Sequence, residues 1–425
     1  MKRLLLLLHS ESYRVEDFVT AARRLAVDLV VGSDKQSVLD QLVPDRALHL
    51  DFLDREQGQS AIVSFHNRKP LDAIVAAEDA GVPLAAQASE ALRLPTNPLE
   101  SALSSSNKAV FREIQQAAGL ETPSFRVVPL SADPEAEGAQ TEYPCVLKPL
   151  FLNASRGVIR ADNPAGFIAA FKRIGEMLAD PVLRRQGGAL AEKILVEGFI
   201  PGAEVALEGM VHQGEFQLLA FFDKPDPLDG PYFEETLFIT PSRHPKRLQQ
   251  ESLRVVQAGV RALGLRTGPV HAELRLHGGK AVLLELATRS IGGHCSRSLR
   301  FGAGMSLEEL ILRQALGLAP GDAEREAKPS GVMMIPIPTG GILRGVEGLE
   351  SARSVAGITG VEIAIPVGRA VHPLPEGNQY LGFIFASGAT PAAVESALRA
   401  AHRCLKLDIR PGTPEEEKTR SGCSD

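Results

Sequence analysis

Two lysines stand in settings that suit anion binding. Lys148 ends the apolar run Cys145-Val146-Leu147, just before Pro149, and Lys108 sits in the first turn of a helix opened by Asn107. An ammonium at the end of a buried strand is partly desolvated, which is tolerable when it meets an anion such as phosphate. Seven residues after Lys148 comes Ser155-Arg156-Gly157-Val158, small enough to turn backbone N–H groups and a hydroxyl toward phosphate oxygens. A second cluster is acidic. Glu273 in His271-Ala272-Glu273-Leu274-Arg275 and Glu285 in Leu283-Leu284-Glu285-Leu286 lie on two strands joined by the tight turn His277-Gly278-Gly279-Lys280. Antiparallel pairing puts the two carboxylates on one face, where they repel unless a cation lies between them, and magnesium is the natural hard ion. Arg289 follows Glu285 by four residues and leads Ser290-Ile291-Gly292-Gly293-His294, where a guanidinium can meet a reacting oxyanion. Taken singly, each cluster also has a plainer reading, as a surface hairpin turn and a salt-bridged hairpin.

The elements that must position these residues follow from periodicity. Short apolar runs at 4–8, 29–31, 47–50 and 61–65, with helices near 17–26 and 71–80, predict a parallel, doubly wound sheet. The first strand runs into His9-Ser10-Glu11-Ser12-Tyr13 and lacks GxGxxG, so the unit is Rossmann-like without a dinucleotide fingerprint. Asn107 caps the next helix, with Val110, Ile114 and Ala117 expected on its inner face, and Asn163-Pro164 opens another that runs to about 178. Strands are expected at 145–148, 194–197, 204–211 and 216–222, and residues 223–242, rich in proline, read as a long ordered loop. A helix with Leu253, Val256, Val260 and Leu263 inward precedes the strands at 270–276 and 281–286, and another helix covers 307–316. Residues 331–409 alternate short strands with one helix, and 411–425 read as a frayed polar end.

Composition excludes several classes. The chain of 425 residues is 44% hydrophobic and 23% charged, which rules out general disorder and predicts two to four packed units. A net charge of -6 without a basic block argues against a nucleic-acid partner. The apolar opening is too short for a bilayer span of about 20 residues, and it lacks a small-residue cleavage site, so neither membrane nor secretion is expected. The four cysteines, Cys145, Cys295, Cys404 and Cys423, show no CxxC spacing, which argues against disulfides or zinc and fits a cytoplasmic location.

In this order the motifs resemble those of the ATP-grasp carboxylate-amine ligases, over roughly residues 1–409. The resemblance rests on the Asn107-Lys108 helix, Tyr143-Pro144-Cys145-Val146-Leu147-Lys148-Pro149 with Ser155-Arg156-Gly157-Val158, and the stretch from Ile194 through Glu197-Gly198-Phe199 to Glu204. His271-Ala272-Glu273 and Glu285-Leu286-Ala287-Thr288-Arg289 complete it. It implies an α/β and α+β architecture: an N-terminal Rossmann-like domain (1–103), a small α+β lid (104–190), a catalytic part (191–325), a C-terminal α+β part (326–409) and a tail (410–425). It also implies ATP and magnesium, or manganese, as cofactors. Lys108, Lys148, Ser155 and Gly157 would bind phosphates, Glu197 and Phe199 would lie at the adenine, and Glu204 would meet the ribose. Glu273 and Glu285 would ligate magnesium, and Arg289 would stabilise an acyl phosphate and the tetrahedral intermediate. The usual asparagine two residues after the second glutamate is Ala287 here, and the phosphate loop Leu150-Phe151-Leu152-Asn153-Ala154-Ser155 lacks the usual glycines.

Within that superfamily, Gly230-Pro231-Tyr232-Phe233-Glu234-Glu235 and the tail unit look like the L-amino-acid ligases that make dipeptides. This adds Glu235, for a substrate ammonium, with His271, Gly292, His294 and Arg297 along the same pocket. The implied partners are a small carboxylate and a small amine, both amino acids, and the resemblance admits a homodimer. Two alternatives stay open: an ATP-grasp carboxylase or purine-pathway ligase, and a degenerate nucleotide-binding regulator.

Overall fold

The computed structural model of the chain describes residues 1–35 and 46–412. The expected frayed end, with Cys423, lies outside the described residues from 413 onward. Four parallel strands form the N-terminal sheet in the spatial order Ala47–His49, Asp28–Ser33, Arg3–Leu7, Ala73–Ala76. Leu4 and Leu6 pack with Phe18 of the helix Val15–Arg24, whereas Leu5 and Leu7 pack with Ile62, Phe65 and Leu84. A strand covered on both faces reads as an unbroken apolar run, which is why this one was legible.

Two neighbouring elements exchange types relative to expectation. Residues 61–65 belong to the helix Arg55–Arg68, capped by the Asp54 carboxylate, which accepts from the Gln57 N–H. Residues 71–80, expected as helix, contain the strand Ala73–Ala76 instead. The β-branched pair Ile74-Val75 sits beside Leu5 and Leu6 in the sheet, and this pairing outweighs the alanine-rich helical pattern. The strand order turns back between Arg3–Leu7 and Ala73–Ala76, so the loops leaving their carboxyl ends, 8–14 and 77–79, flank the crevice where open α/β sheets bind ligands.

The helix Lys108–Ala117 is capped by Asn107 as expected, but it buries Ala109, Phe111, Arg112 and Gln115 most fully, with Ile114 half-buried against the same core as Phe111, Val110 half-buried and Ala117 exposed. The inner face is polar because Arg112 and Gln115 both donate to the Leu283 carbonyl. The small layer is an antiparallel sheet in the order Phe125–Pro129, Lys193–Gly198, Cys145–Pro149, Ile159–Ala161, covered by the helix Pro164–Leu178 through Phe167, Phe171 and Ile174. It therefore runs past residue 190, where its end was expected.

An eight-stranded antiparallel sheet forms the body, in the order Lys280–Ala287, Thr267–His277, Ala203–His212, Glu215–Lys224, Leu237–Thr240, Ser330–Ile335, Gly382–Ser387, Ile358–Ile363. It carries strands from both sides of the expected boundary at 325/326. The strand Leu237–Thr240 also divides the segment 223–242 that was expected to be loop. The helix Lys246–Ala262 covers one face, with Gly259 against Leu283 and Leu286. In the hairpin Thr267–Ala287 the turn residues Gly278 and Gly279 have φ of 58° and 78°, left-handed angles that a tight two-residue connection requires. The C-terminal part has two helices rather than one, Leu349–Arg353 and Pro391–Cys404. Among the described residues, no helix is long and apolar enough to cross a membrane.

Candidate active site

The layers meet around a cleft of about 820 Å³. Lys148 lies on its wall, with its Nζ 2.5 Å from Glu197 Oε2, while Arg112 Nε donates to Glu197 Oε1 at 2.7 Å. Burial alone would raise the Glu197 carboxyl, yet the charges of Arg112 and Lys148 hold it below its ordinary value. Burial pulls the Lys148 ammonium down, against the pull of Glu197. Glu197 is thus a buried counter-ion that orients Lys148. Phe199 also lines the cleft, with the Arg160 guanidinium 4.2 Å and the Arg275 guanidinium 5.6 Å from its ring centroid. Such a ring, with Val146 and Leu284 on the same cleft, offers a flat apolar surface for a base.

Lys108 faces the loop of the small layer, its Nζ donating to the Leu152 carbonyl at 2.5 Å and lying 3.9 Å from Glu285 Oε2. Ser155 lines the cleft, and both it and Ala154 adopt left-handed backbone angles. Gly157 corrects expectation. Its N–H donates to the Pro375 carbonyl at 2.9 Å, and it stays off the cleft wall. A Cβ at its φ of 71° would stand 2.5 Å from Met177 Cε, so glycine is needed there for packing.

The acidic cluster holds a cation that sequence reading missed. Lys224 Nζ lies 2.8 Å from Glu204 Oε1 and 2.8 Å from Glu273 Oε1, and also donates to Glu235. Burial works against its charge, but the three carboxylates raise its pKa well above the ordinary lysine value. Within the cluster, burial and the Glu273 charge push Glu235 up, while Lys224 and His271 outweigh burial to pull Glu273 well down. Lys224 ends an apolar strand as Lys148 does, and that signal would have found it. Glu204 also pairs with Arg275 Nε at 3.0 Å, so both of its oxygens are engaged.

Glu273 and Glu285 stand directly opposite in the hairpin, as expected, and both line the cleft. Both are hard oxygen donors of the kind a magnesium ion takes, but among the described residues the carboxylate oxygens that lie within 4.8 Å of one another are those of Glu204, Glu235 and Glu273, which Lys224 bridges. Ala287 offers no third oxygen. His271 lies between Glu208 and Glu273, its Nδ1 and Nε2 each 3.3 Å from a carboxylate oxygen; burial opposes its charge, but the two carboxylates raise its pKa to about 9.

Arg289 is held from the N-terminal sheet. Its Nε donates to Asp79 Oδ2 at 2.7 Å and its Nη1 to the Ser290 carbonyl at 3.0 Å. Burial opposes the charge, but Asp79 and Glu285 raise the guanidinium above its ordinary value. The loop after it is fastened three times: Arg14 Nη2 donates to Ser290 Oγ, the Ile291 N–H to Glu208 Oε2, and the Gly293 N–H to the Tyr13 hydroxyl. Gly292 lines the cleft. His294 does not: it is 2% exposed, packs behind Tyr13 and Phe383, and faces Asp17. Arg297 likewise lies off the cleft wall and braces Asp17 and Glu362. Both expectations are corrected by the left-handed turn at His294, which directs the chain away from the cleft.

Comparison with known proteins agrees with this geometry. The ATP-grasp domain family matches residues 141–298, the ATP-grasp N-terminal domain family residues 19–96, and the L-amino acid ligase C-terminal domain 2 family residues 333–410. The crystal structure of L-amino acid ligase from Bacillus licheniformis superposes with a TM-score of 0.83 at 25% identity, covering 96% of this chain and 99% of that one. An uncharacterised protein of Sinorhizobium fredii is 23% identical over 97% of this chain and 84% of its own length. Alanine–anticapsin ligase of Bacillus subtilis is 24% identical over 60% of this chain, which spans only 56% of that protein. A carboxyaminoimidazole ribonucleotide synthase from an Aspergillus, solved with ATP, shares the fold at a TM-score of 0.72 and 18% identity. With the three family matches in chain order over most of its length, and a full-length structural match to an amino-acid ligase, the chain belongs to the ATP-grasp family of ATP-dependent ligases.

Proposed function

We propose that the protein joins two amino acids through an amide bond, with ATP converted to ADP and phosphate. The observation that carries this reading is the placement of Arg289, half-buried on the same cleft as Lys108, Lys148, Tyr13 and Gly292, and locked by Asp79. A carboxylate seated there lies next to the γ-phosphate of a nucleotide gripped by Lys108 and Lys148. Transfer of the γ-phosphoryl group to the carboxylate oxygen gives an acyl phosphate and ADP. The amine of the second amino acid then attacks the acyl carbon, and phosphate leaves as the proton passes from nitrogen to solvent or a nearby base.

Arg289 faces the oxyanion that develops in each step, so its fixed guanidinium lowers both barriers. Magnesium, when held by Glu273 and Glu285, would neutralise phosphate charge. Glu197 fixes Lys148 from below, so this cation needs little reorganisation on binding. Glu235, which also accepts from Lys224, turns its carboxyl to the substrate ammonium, whose charge would favour the ionised form. The test is ADP release over pairs of amino acids, with bicarbonate as a separate arm. ADP formed only with a carboxylate and an amine together, or slowly with the carboxylate alone, supports the reading. AMP and pyrophosphate, or ADP driven by bicarbonate alone, would sink it.

A further inference from the structure

We propose that the amino acid whose carboxylate is activated carries a large, uncharged apolar side chain, received by a wall of the cleft built on Tyr13 and Tyr380. This rests on the ligase reading above and names the substrate class of its site. The chain has no tryptophan and only four tyrosines, and two of the four stand on this wall. Tyr13 is 41% exposed and lines the cleft, so part of its ring surface is open to a ligand there. Its hydroxyl accepts the Gly293 N–H at 2.7 Å, which anchors the ring to the loop after Arg289.

The ring is also fixed in place, 4.5 Å from the His294 ring and 5.7 Å from Phe383, and Phe383 in turn lies 6.3 Å from Tyr380. Met334 and Ile291 close the same wall. Charges suited to an amino acid's two ends, Arg289 and Glu235, line the same cleft as the two rings. An amino acid with its carboxylate at Arg289 and its ammonium at Glu235 therefore lays its side chain along these rings. A small side chain leaves the rings wet, and a charged one loses its hydration against carbon.

The experiment is kcat/KM for ADP release by the wild-type protein, with one amine partner held constant and the activated amino acid varied among phenylalanine, leucine, methionine, alanine, lysine and aspartate. The three large apolar amino acids should exceed alanine by about 10- to 200-fold, the range that apolar pocket contacts give. The Tyr380→Ala variant should lower the phenylalanine-to-alanine ratio by about 10-fold. Preference for alanine, lysine or aspartate, or rates within about 2-fold across the panel, overturns the side-chain assignment and leaves the ligase reading standing. No ADP from any amino acid overturns the ligase reading instead. Calorimetric binding of phenylalanine against alanine to wild-type protein holding ADP then decides the pocket, and equal affinities overturn it.

Discussion

Single side chains set the chemistry of this cleft through what restrains them. Arg289 is useful because Asp79 takes its Nε and the Ser290 carbonyl its Nη1, which fixes the guanidinium on the cleft wall. Changing Arg289→Ala should raise the barrier to turnover by about 3 to 4 kcal/mol, as for loss of one preorganised oxyanion donor, with little change in ATP affinity. Steady-state ADP release beside nucleotide calorimetry checks this, and an equal loss in both would make the residue a binding group only. A second test concerns pH. His9, at the mouth of the cleft, lies 3.2 Å from Asp34; the Asp34 hydrogen bond raises His9, and despite burial the His9 bond lowers Asp34. The histidine's contribution to stability is complete below its unfolded pKa of about 6.5 and fades as pH rises through the raised folded value. The aspartate's is complete above about 3.9 and fades as pH falls through the depressed one. The pair is half exposed, so the effect on stability is small, but the His9 ring should titrate above 6.5 by NMR and drop back in Asp34→Asn. A titration unchanged by that substitution counts against the pair. At this scale the sequence was informative where chemistry follows a strand end, as at Lys148, and silent about partners such as Asp79 and Arg112, which fold from distant segments.

Elements matter here because one carboxylate oxygen ties three of them together. Asp79 Oδ2 accepts Arg289 Nε from the loop after the hairpin and Asn153 Nδ2 from the phosphate loop, each at 2.7 Å. Movement of the phosphate loop over a nucleotide is thereby linked to the position of the arginine. Asp79→Asn and Asn153→Ala should each lower kcat, and their combination should be non-additive by roughly 0.5 to 3 kcal/mol, the coupling expected of groups sharing one hydrogen-bond network. Additive losses in a double-mutant cycle would show that the loop and the arginine act separately. The element types themselves were mostly legible. Caps at Asn107 and Asn163 and the apolar strand at 145–148 were read from local residues, because capping and burial leave local marks. The exchange between 61–65 and 71–80, and the rotated face of Lys108–Ala117, were not, because both depend on what packs from elsewhere: the neighbouring strand Arg3–Leu7 in one case and the Leu283 carbonyl in the other.

On the scale of the whole molecule, the cleft is where every layer contributes. Tyr13 and Asp79 come from the N-terminal sheet, Lys148 and Ser155 from the small layer, Glu273 and Arg289 from the large sheet, and Tyr380 from the C-terminal part. Arg156 reaches the Glu376 carbonyl and Arg173 pairs with the Glu376 carboxylate, so the small layer also touches the C-terminal part directly. A ligand spanning these layers binds the folded arrangement and not the unfolded chain. Stabilisation then follows mass action, about 2.7 kcal/mol at a ligand concentration one hundred times Kd. ATP with magnesium should therefore raise the thermal midpoint by several degrees, and ATP with a chelator by less, because without the ion the phosphates crowd Glu273 and Glu285 uncompensated. Glu285→Gln should remove the magnesium increment while keeping the nucleotide one, since the amide offers a neutral oxygen in place of a charged ligand but leaves Lys148 and Phe199 untouched. Thermal scans of both proteins, with and without the chelator, read this directly. Equal increments in wild type and Glu285→Gln would take the metal away from the hairpin carboxylates and leave phosphate neutralisation to Lys108 and Lys148.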